Sequence, residues 1–214
     1  MVTDRHRAVP DARTPAETLT GLERAIDHAL DAGVDAVQIR EPDVAAAALR
    51  ALAARLVART GGRAAILVND RVDVALASGA HVHLRADAPA EARVRPLLPP
   101  GAWISRAVHD SAEAAGHAGA DALVFGHVFP SASKPGVPAA GVAGIAAVRR
   151  ATSRPVIAIG GVTVANAAAC AAAGADGVAA IGMFLPAIAQ EYPGGLHGVV
   201  RDLRAALESG RRGR

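Results

Sequence analysis

Aromatic residues are scarce in this chain. Phe, Trp and Tyr together make up 2% of its 214 residues. Hydrophobic residues nevertheless reach 51%, so a sizeable core is available, and Ala, Val, Leu and Ile must fill it. Basic surface interleaved with aromatics, as nucleic-acid binders use, is missing as well. The formal net charge of +3 therefore does not point to a nucleic-acid partner, and part of it sits at the end in Arg211, Arg212 and Arg214. Cysteine occurs once, at Cys170, which excludes an intrachain disulfide framework and reads as an inert buried thiol. No apolar run reaches the roughly 18–20 residues that a membrane crossing needs. The opening residues Met1–Arg7 hold no apolar signal core. The expectation is a soluble cytoplasmic protein with no membrane or nucleic-acid partner, and a homodimer is compatible with it.

What is present is an alternation. Short, β-branched runs stand at Val34–Arg40, Ala64–Val68, His81–Leu84, Trp103–Val108, Ala122–Val128, Pro155–Ile159 and Gly177–Ile181. Helical stretches lie near Pro15–Ala32, Val44–Arg59, Ser111–Ala118, Gly141–Arg150 and Val164–Ala173. Near-continuous apolar strands alternating with helices predict parallel βα units covered on both faces. An eighth strand has room only at Val2–Thr3. The fold class expected is α/β, a (β/α)₈ barrel with eight parallel strands. It would form a single domain over 1–208, a common size for such barrels, with 209–214 as a disordered basic tail. Three phrases echo one another: Ala32–Asp35, Ala118–Asp121 and Ala173–Asp176 each read Ala-Gly-X-Asp. Each closes a helix and opens a strand, with Gly as the left-handed cap.

Barrel sites form at strand carboxyl ends and the loops behind them. Those positions hold Gln38, Arg40 and Glu41; Asn69, Asp70 and Arg71; His83, Arg85 and Asp87; Ser105 and His109; His127; Gly160 and Gly161; and Ile181 and Gly182. Glycine at a strand end lets backbone N–H groups approach an anion closely. Gly160-Gly161 and Ile181-Gly182, the latter before a short helical stretch at Met183–Ala189, thus read as phosphate-binding loops. A tight turn explains any single Gly-Gly equally well. Arg40 suits a carboxylate or phosphate in fork geometry, with a surface ion pair as the bland alternative. Asp70 can ligate Mg²⁺ or cap a helix. His127 ends the run Val124–Val128, where its neutral-range pKa suits proton abstraction and return. The irregular stretch Pro130–Ala140 follows a strand and reads as a lid.

At these residues the chain resembles the thiamine-phosphate synthase/TenI superfamily. The matching phrases are Val2–Arg5, Gln38–Glu41, Asn69–Leu76, Val82–Leu84, Ala107–His109, Gly126–Phe129 and Ile157–Val162. The resemblance implies a TIM barrel with a thiazole-phosphate site and one of two activities. A synthase joins a hydroxymethylpyrimidine pyrophosphate to thiazole phosphate with Mg²⁺. A TenI-type tautomerase aromatises a 2-carboxy-4-methylthiazole phosphate without metal. Synthases usually carry Pro where His127 stands, Lys where Pro42 stands and a second metal ligand where Ala88 stands. Asp70 is retained, however, and Ser131, Ser133 and Lys134 resemble a synthase pyrophosphate loop.

Losing a metal ligand and a lysine weakens neutralisation of a pyrophosphate leaving group. The expected function is therefore thiazole tautomerisation with no cofactor. His127 would be the catalytic acid/base, and Arg40, Gln38, Asn69, Ser105, Gly160, Gly161, Ile181 and Gly182 would bind the phosphorylated thiazole. The alternatives are a Mg²⁺-dependent synthase using Asp70 as ligand, and a non-catalytic paralogue that only binds a phosphorylated ligand.

Overall fold

The computed structural model describes residues 1–131 and 136–213. In chain order the elements are α1 (Arg5–Ala8), α2 (Pro15–Asp31), β1 (Ala36–Ile39), α3 (Ala46–Thr60), β2 (Ala65–Asn69), α4 (Val72–Ser78), β3 (His81–Leu84), α5 (Glu91–Val94), β4 (Ile104–Val108), α6 (Ser111–Gly116), β5 (Ala122–Gly126), α7 (Gly141–Ala151), β6 (Val156–Ile159), α8 (Val164–Ala172), β7 (Gly177–Ala179), α9 (Pro186–Glu191) and α10 (Gly195–Arg212). Short 3₁₀ turns occupy Arg95–Leu97 and Gly182–Phe184. The fold is α/β, and its described strand pairings are parallel. No helix among the described residues is long and apolar enough to cross a membrane. The chain gathers into two compact units: 1–83 with 97–102 and 181–200, and 84–96 with 103–180 and 201 onward.

In the first unit β2 pairs with both β1 and β3, setting Gln38 opposite Leu67 and Asn69 opposite His83. Thr14 caps α2 by accepting from the Glu17 N–H, and Pro15 fills the first turn, where its missing N–H costs nothing. Leu22, Ile26 and Ala29 of α2 and Leu49, Leu52 and Leu56 of α3 are buried at helical spacing. Gly61 and Gly79 end α3 and α4 in the left-handed conformation. The expected eighth strand is reduced to one parallel bridge, Val2 to Gln38. Thr3 N–H donates to the Gln38 carbonyl at 3.0 Å. The Asp4 carboxylate then accepts from Arg7 N–H and starts α1, so the extended run ends after three residues.

In the second unit β4, β5, β6 and β7 pair consecutively. The apolar core is aliphatic apart from Phe125 and Cys170, with Ile104, Leu123, Ile145, Val148 and Val156 fully buried. The Ala-Gly-X-Asp echo acquires a physical reason here. Asp121 Oδ2 accepts the Ile104 N–H at 2.7 Å and Asp176 Oδ2 accepts the Val156 N–H at 2.8 Å. Each carboxylate thus satisfies the leading amide of the preceding strand. Gly33 and Gly174 have positive φ as expected. Gly119 does not; its constraint is space, since a Cβ there would lie 3.1 Å from Glu91 Cβ.

The basic tail expected at 209–214 is instead helical to Arg212. Val199, Val200 and Leu203 of α10 are buried. A Cβ on Gly210 would meet the Ala168 carbonyl at 2.2 Å, so α10 lies directly against α8. Arg211 also donates to the Asp176 carbonyl.

Arg106 of β4 is the largest fully buried side chain. Its guanidinium donates to Glu91 Oε1 at 2.7 Å and to the carbonyls of Arg85, Ala88 and Pro89. One side chain therefore holds the whole segment between β3 and α5. Removing one member of a buried ion pair strands the other charge. Arg106→Ala is expected to lower unfolding free energy by about 3–5 kcal/mol, read as a lower midpoint in urea denaturation.

Candidate functional site

The loop after β1 is built on a buried arginine. Arg5 Nη1 donates to Glu41 Oε2 at 3.1 Å and to Asp43 Oδ1 at 2.6 Å, and Nη2 to Asp43 Oδ2 at 2.5 Å. Glu41 Oε1 also accepts from Thr3 Oγ1 at 2.6 Å and from Arg5 N–H at 3.1 Å. Glu41, which sequence reading places among candidate polar groups, is thus buried and committed to anchoring. Thr3 Oγ1 in turn accepts the Arg40 N–H at 2.9 Å. The backbone of Arg40 is fixed while its exposed guanidinium makes no hydrogen bond or ion pair among the described residues. The ion-pair alternative for Arg40 is therefore not what the fold uses.

Parallel register brings two further candidates together. Gln38 Nε2 donates to Asn69 Oδ1 at 3.0 Å, leaving Gln38 Oε1 as an acceptor and Asn69 Nδ2 as a donor. Asp70 follows at φ +59, a left-handed conformation that Asp tolerates better than most residues. Its N–H donates to the His83 carbonyl at 2.8 Å. It does not cap α4; that position is Arg71, which makes no side-chain cap and pairs with Asp73 instead. No group of three or more His, Cys, Asp or Glu residues suited to a metal occurs among the described residues.

In the second unit, β5 ends at Gly126 and leads to His127 through a cis peptide. His127 is 9% exposed. Its Nε2 lies 3.1 Å from the Val137 carbonyl, so a neutral ring carries its proton on Nε2 and keeps Nδ1 as an acceptor. The expected lid thereby contacts the candidate acid/base: besides Val137, the Ala140 and Gly141 N–H groups donate to the carbonyls of His127 and Val128. Opposite, Val128 and Phe129 N–H donate to the carbonyls of Ile159 and Gly160 at 2.9 Å each.

That pairing gives the glycines a reason of their own. A Cβ on Gly160 would lie 2.3 Å from His127 Cβ, and one on Gly161 2.4 Å from the Pro130 carbonyl. Both also have positive φ. Gly160-Gly161 is thus required by backbone contact with 127–130, whatever it binds.

Ser105 is buried on β4. His109 directly follows β4, and its N–H donates to Glu113 Oε2 at 2.7 Å just ahead of α6. The helix expected over Met183–Ala189 is divided into the 3₁₀ turn at Gly182–Phe184 and α9, with Leu185 and Pro186 at the break. Ser131 is half-buried, whereas Ser133 and Lys134 lie outside the described residues. Burial pushes the Cys170 thiol up to about 11, consistent with an unreactive core residue.

A family model described as thiamine monophosphate synthase matches residues 9–184. The chain belongs to that family. Among its relatives, the thiamine-phosphate synthase of Anaeromyxobacter dehalogenans (strain 2CP-C) is 39% identical over 190 residues, covering 87% of this chain and 83% of the relative. A putative thiamine-phosphate synthase of Geobacter sulfurreducens is 41% identical over 189 residues, with 85% and 83% coverage. The solved structure of thiamine phosphate pyrophosphorylase from Pyrococcus furiosus superposes with a TM-score of 0.76 at 27% identity, covering 98% of this chain and 94% of that one. This superposition supports the α/β architecture with parallel strands.

As a member of the thiamine monophosphate synthase family, the chain carries two anchoring arginines that sequence reading passed over as functional supports. Arg5 was visible only as part of a matching phrase, and Arg106 as a charge inside an apolar strand, Ile104–Val108. Such a charge is itself a signal, since a strand buried on both faces rarely holds one without a partner. The Arg5 guanidinium, by its hydrogen bonds, holds the Asp43 carboxyl well below the usual range. A depressed folded-state pKa contributes stability that is complete above the unfolded value near about pH 4 and is lost as pH falls through the folded value. Asp43→Asn should therefore be less stable than the parent at about pH 6, with the gap closing as pH falls below about 4. Urea midpoints across that range check it; a gap that stays constant speaks against the pair.

Proposed function

We propose that the protein is a thiamine-phosphate synthase, joining a hydroxymethylpyrimidine pyrophosphate to thiazole phosphate. Near-full-length similarity to proteins so named, at 39% and 41% identity, carries this reading. It is preferred to the tautomerase expectation drawn from His127, Pro42 and Ala88. The Gln38–Asn69 pair directly before Asp70 supports it.

In the reaction the thiazole ring nitrogen attacks the methylene carbon of the pyrimidine. The carbon–oxygen bond to pyrophosphate breaks, and its electron pair leaves on pyrophosphate. Arg40, anchored through its backbone, would take leaving-group oxygens in its fork. Ser131, Ser133 and Lys134 would be further pyrophosphate contacts. Gln38 Oε1 and Asn69 Nδ2 would orient a substrate, and Ser105 would line the site. Backbone donors at Gly160, Gly161, Ile181 and Gly182 would hold the thiazole phosphate.

Mg²⁺ keeps several waters and binds through one or two carboxylates plus substrate phosphates. Asp70 fits that modest demand, whereas a closed cage of protein ligands does not occur among the described residues. When bound, Mg²⁺ would neutralise charge on the departing pyrophosphate. The same reading carries a closed barrel with Val2–Thr3 as its eighth strand.

Purified protein given both substrates and Mg²⁺ should form thiamine phosphate and pyrophosphate. Asp70→Ala should lower kcat/KM by about a hundredfold, and chelation should abolish turnover. No product from the parent protein would overturn the reading.

One observation favours a second reading, thiazole tautomerisation: His127 keeps an acceptor nitrogen at a strand end while its other nitrogen is held by Val137. If that reading holds, His127→Ala should slow aromatisation of the carboxythiazole phosphate by about 10²–10⁴-fold. A parallel assay of the two reactions separates the readings.

A further inference from the structure

Arg5 and Arg7 lie two residues apart in α1 and have opposite fates. Arg5 is buried between two carboxylates. Arg7 is exposed, and its guanidinium makes no hydrogen bond or ion pair among the described residues. Asp43 is committed to Arg5, Asp4 accepts the Arg7 backbone N–H at 3.1 Å, and Asp11, four residues on, makes no ion pair with Arg7 among the described residues. The Arg7 backbone is held by that cap and by the anchored Arg5, so the side chain starts from a fixed point.

Its guanidinium lies against the Ile181–Gly182 loop of the same unit. A Cβ on Gly182 would sit 3.9 Å from Arg7 Nη2. Gly182 has no positive φ, so backbone conformation does not require glycine there. The turn closes through Phe184 and Leu185 N–H, which donate to the carbonyls of Ile181 and Gly182 at 3.1 Å each. The Gly182 and Met183 N–H groups donate to no protein acceptor among the described residues. An unpaired cation and two unspent amides thus occupy one small region.

We propose that Arg7 binds the phosphate monoester of the thiazole substrate, as a specificity residue for the phosphorylated over the unphosphorylated thiazole. A phosphate monoester presents three terminal oxygens, enough for a forked guanidinium and backbone amides together, and a dianion suits an uncompensated arginine. A carboxylate, with two oxygens, would leave donors unused. The proposal rests on the synthase reading for the identity of the substrate.

The test compares the parent protein with Arg7→Ala and Arg7→Lys. In the synthase assay, Arg7→Ala should raise KM for thiazole phosphate by about tenfold or more. KM for the pyrimidine pyrophosphate and turnover with the unphosphorylated thiazole alcohol should stay within about threefold, a difference too small to count as a lost charge-assisted contact. Arg7→Lys should recover part of the loss, because charge returns without the fork. A purely structural defect would instead move both KM values and the melting temperature. Equal KM values for thiazole phosphate in the parent and Arg7→Ala overturn the proposal. If the parent makes no thiamine phosphate, the synthase reading fails by itself, and calorimetric titration with thiazole phosphate still judges Arg7. Weaker binding in Arg7→Ala supports the role; equal binding, or none to the parent, overturns it.

Discussion

In a parallel ladder every strand points the same way, so the residues beyond the last hydrogen bonds emerge at one end. The candidate chemistry of each unit depends on that constraint. In the first unit the register of β1 on β2 brings Gln38 and Asn69 within hydrogen-bond distance. The pairing of β2 with β3 then continues one step past the strand, as Asp70 N–H meets the His83 carbonyl. A slip of β1 by one residue would turn Gln38 to the other face and separate it from Asn69. The polar pair therefore depends on the backbone.

The second unit uses crowding to the same end. Residues 127–130 run so close to Ile159–Gly161 that side chains are excluded at Gly160 and Gly161. The carbonyls of His127 and Val128 are taken by Ala140 and Gly141 on the far side. His127 is thus set between two backbone segments, with a third contact through its ring to Val137. Such a residue has little freedom to turn, which suits either orienting a substrate or moving a proton.

Charge is divided between anchoring and binding. Arg5 and Arg106 are consumed by carboxylates and carbonyls, and each fixes a loop behind a strand. The Arg5–Glu41 and Arg106–Glu91 pairs are buried, so their value lies in holding one conformation and not in net Coulomb gain. Arg40 and Arg7 stand on the anchored segments with unpaired guanidinium groups. The anchored backbone fixes where each of these side chains starts, so only the side-chain rotamers would remain to be ordered by an anion.

Much of the architecture was legible in residue order alone. Alternating β-branched runs and Ala-rich helices mark the seven strands and the major helices, because periodicity is a local property. The strand-end candidates also stand where those runs stop. Three features were not legible. The last turn of α10, from Ser209 to Arg212, was read as a tail because it is polar and arginine-rich, whereas Gly210 packs closely on α8. The glycine pair was read as a phosphate loop, although contact with 127–130 already requires it. The carboxylate Glu41 was read as available, although Thr3 and Arg5, more than thirty residues earlier, consume it. Sequence by itself determined the α/β pattern, the family and the set of polar residues at strand ends, since each follows from local spacing or matching phrases. Tertiary structure alone decided which of those groups are spent on the fold and which stay free, because a hydrogen bond between distant residues exists only once the backbone has brought its partners within reach.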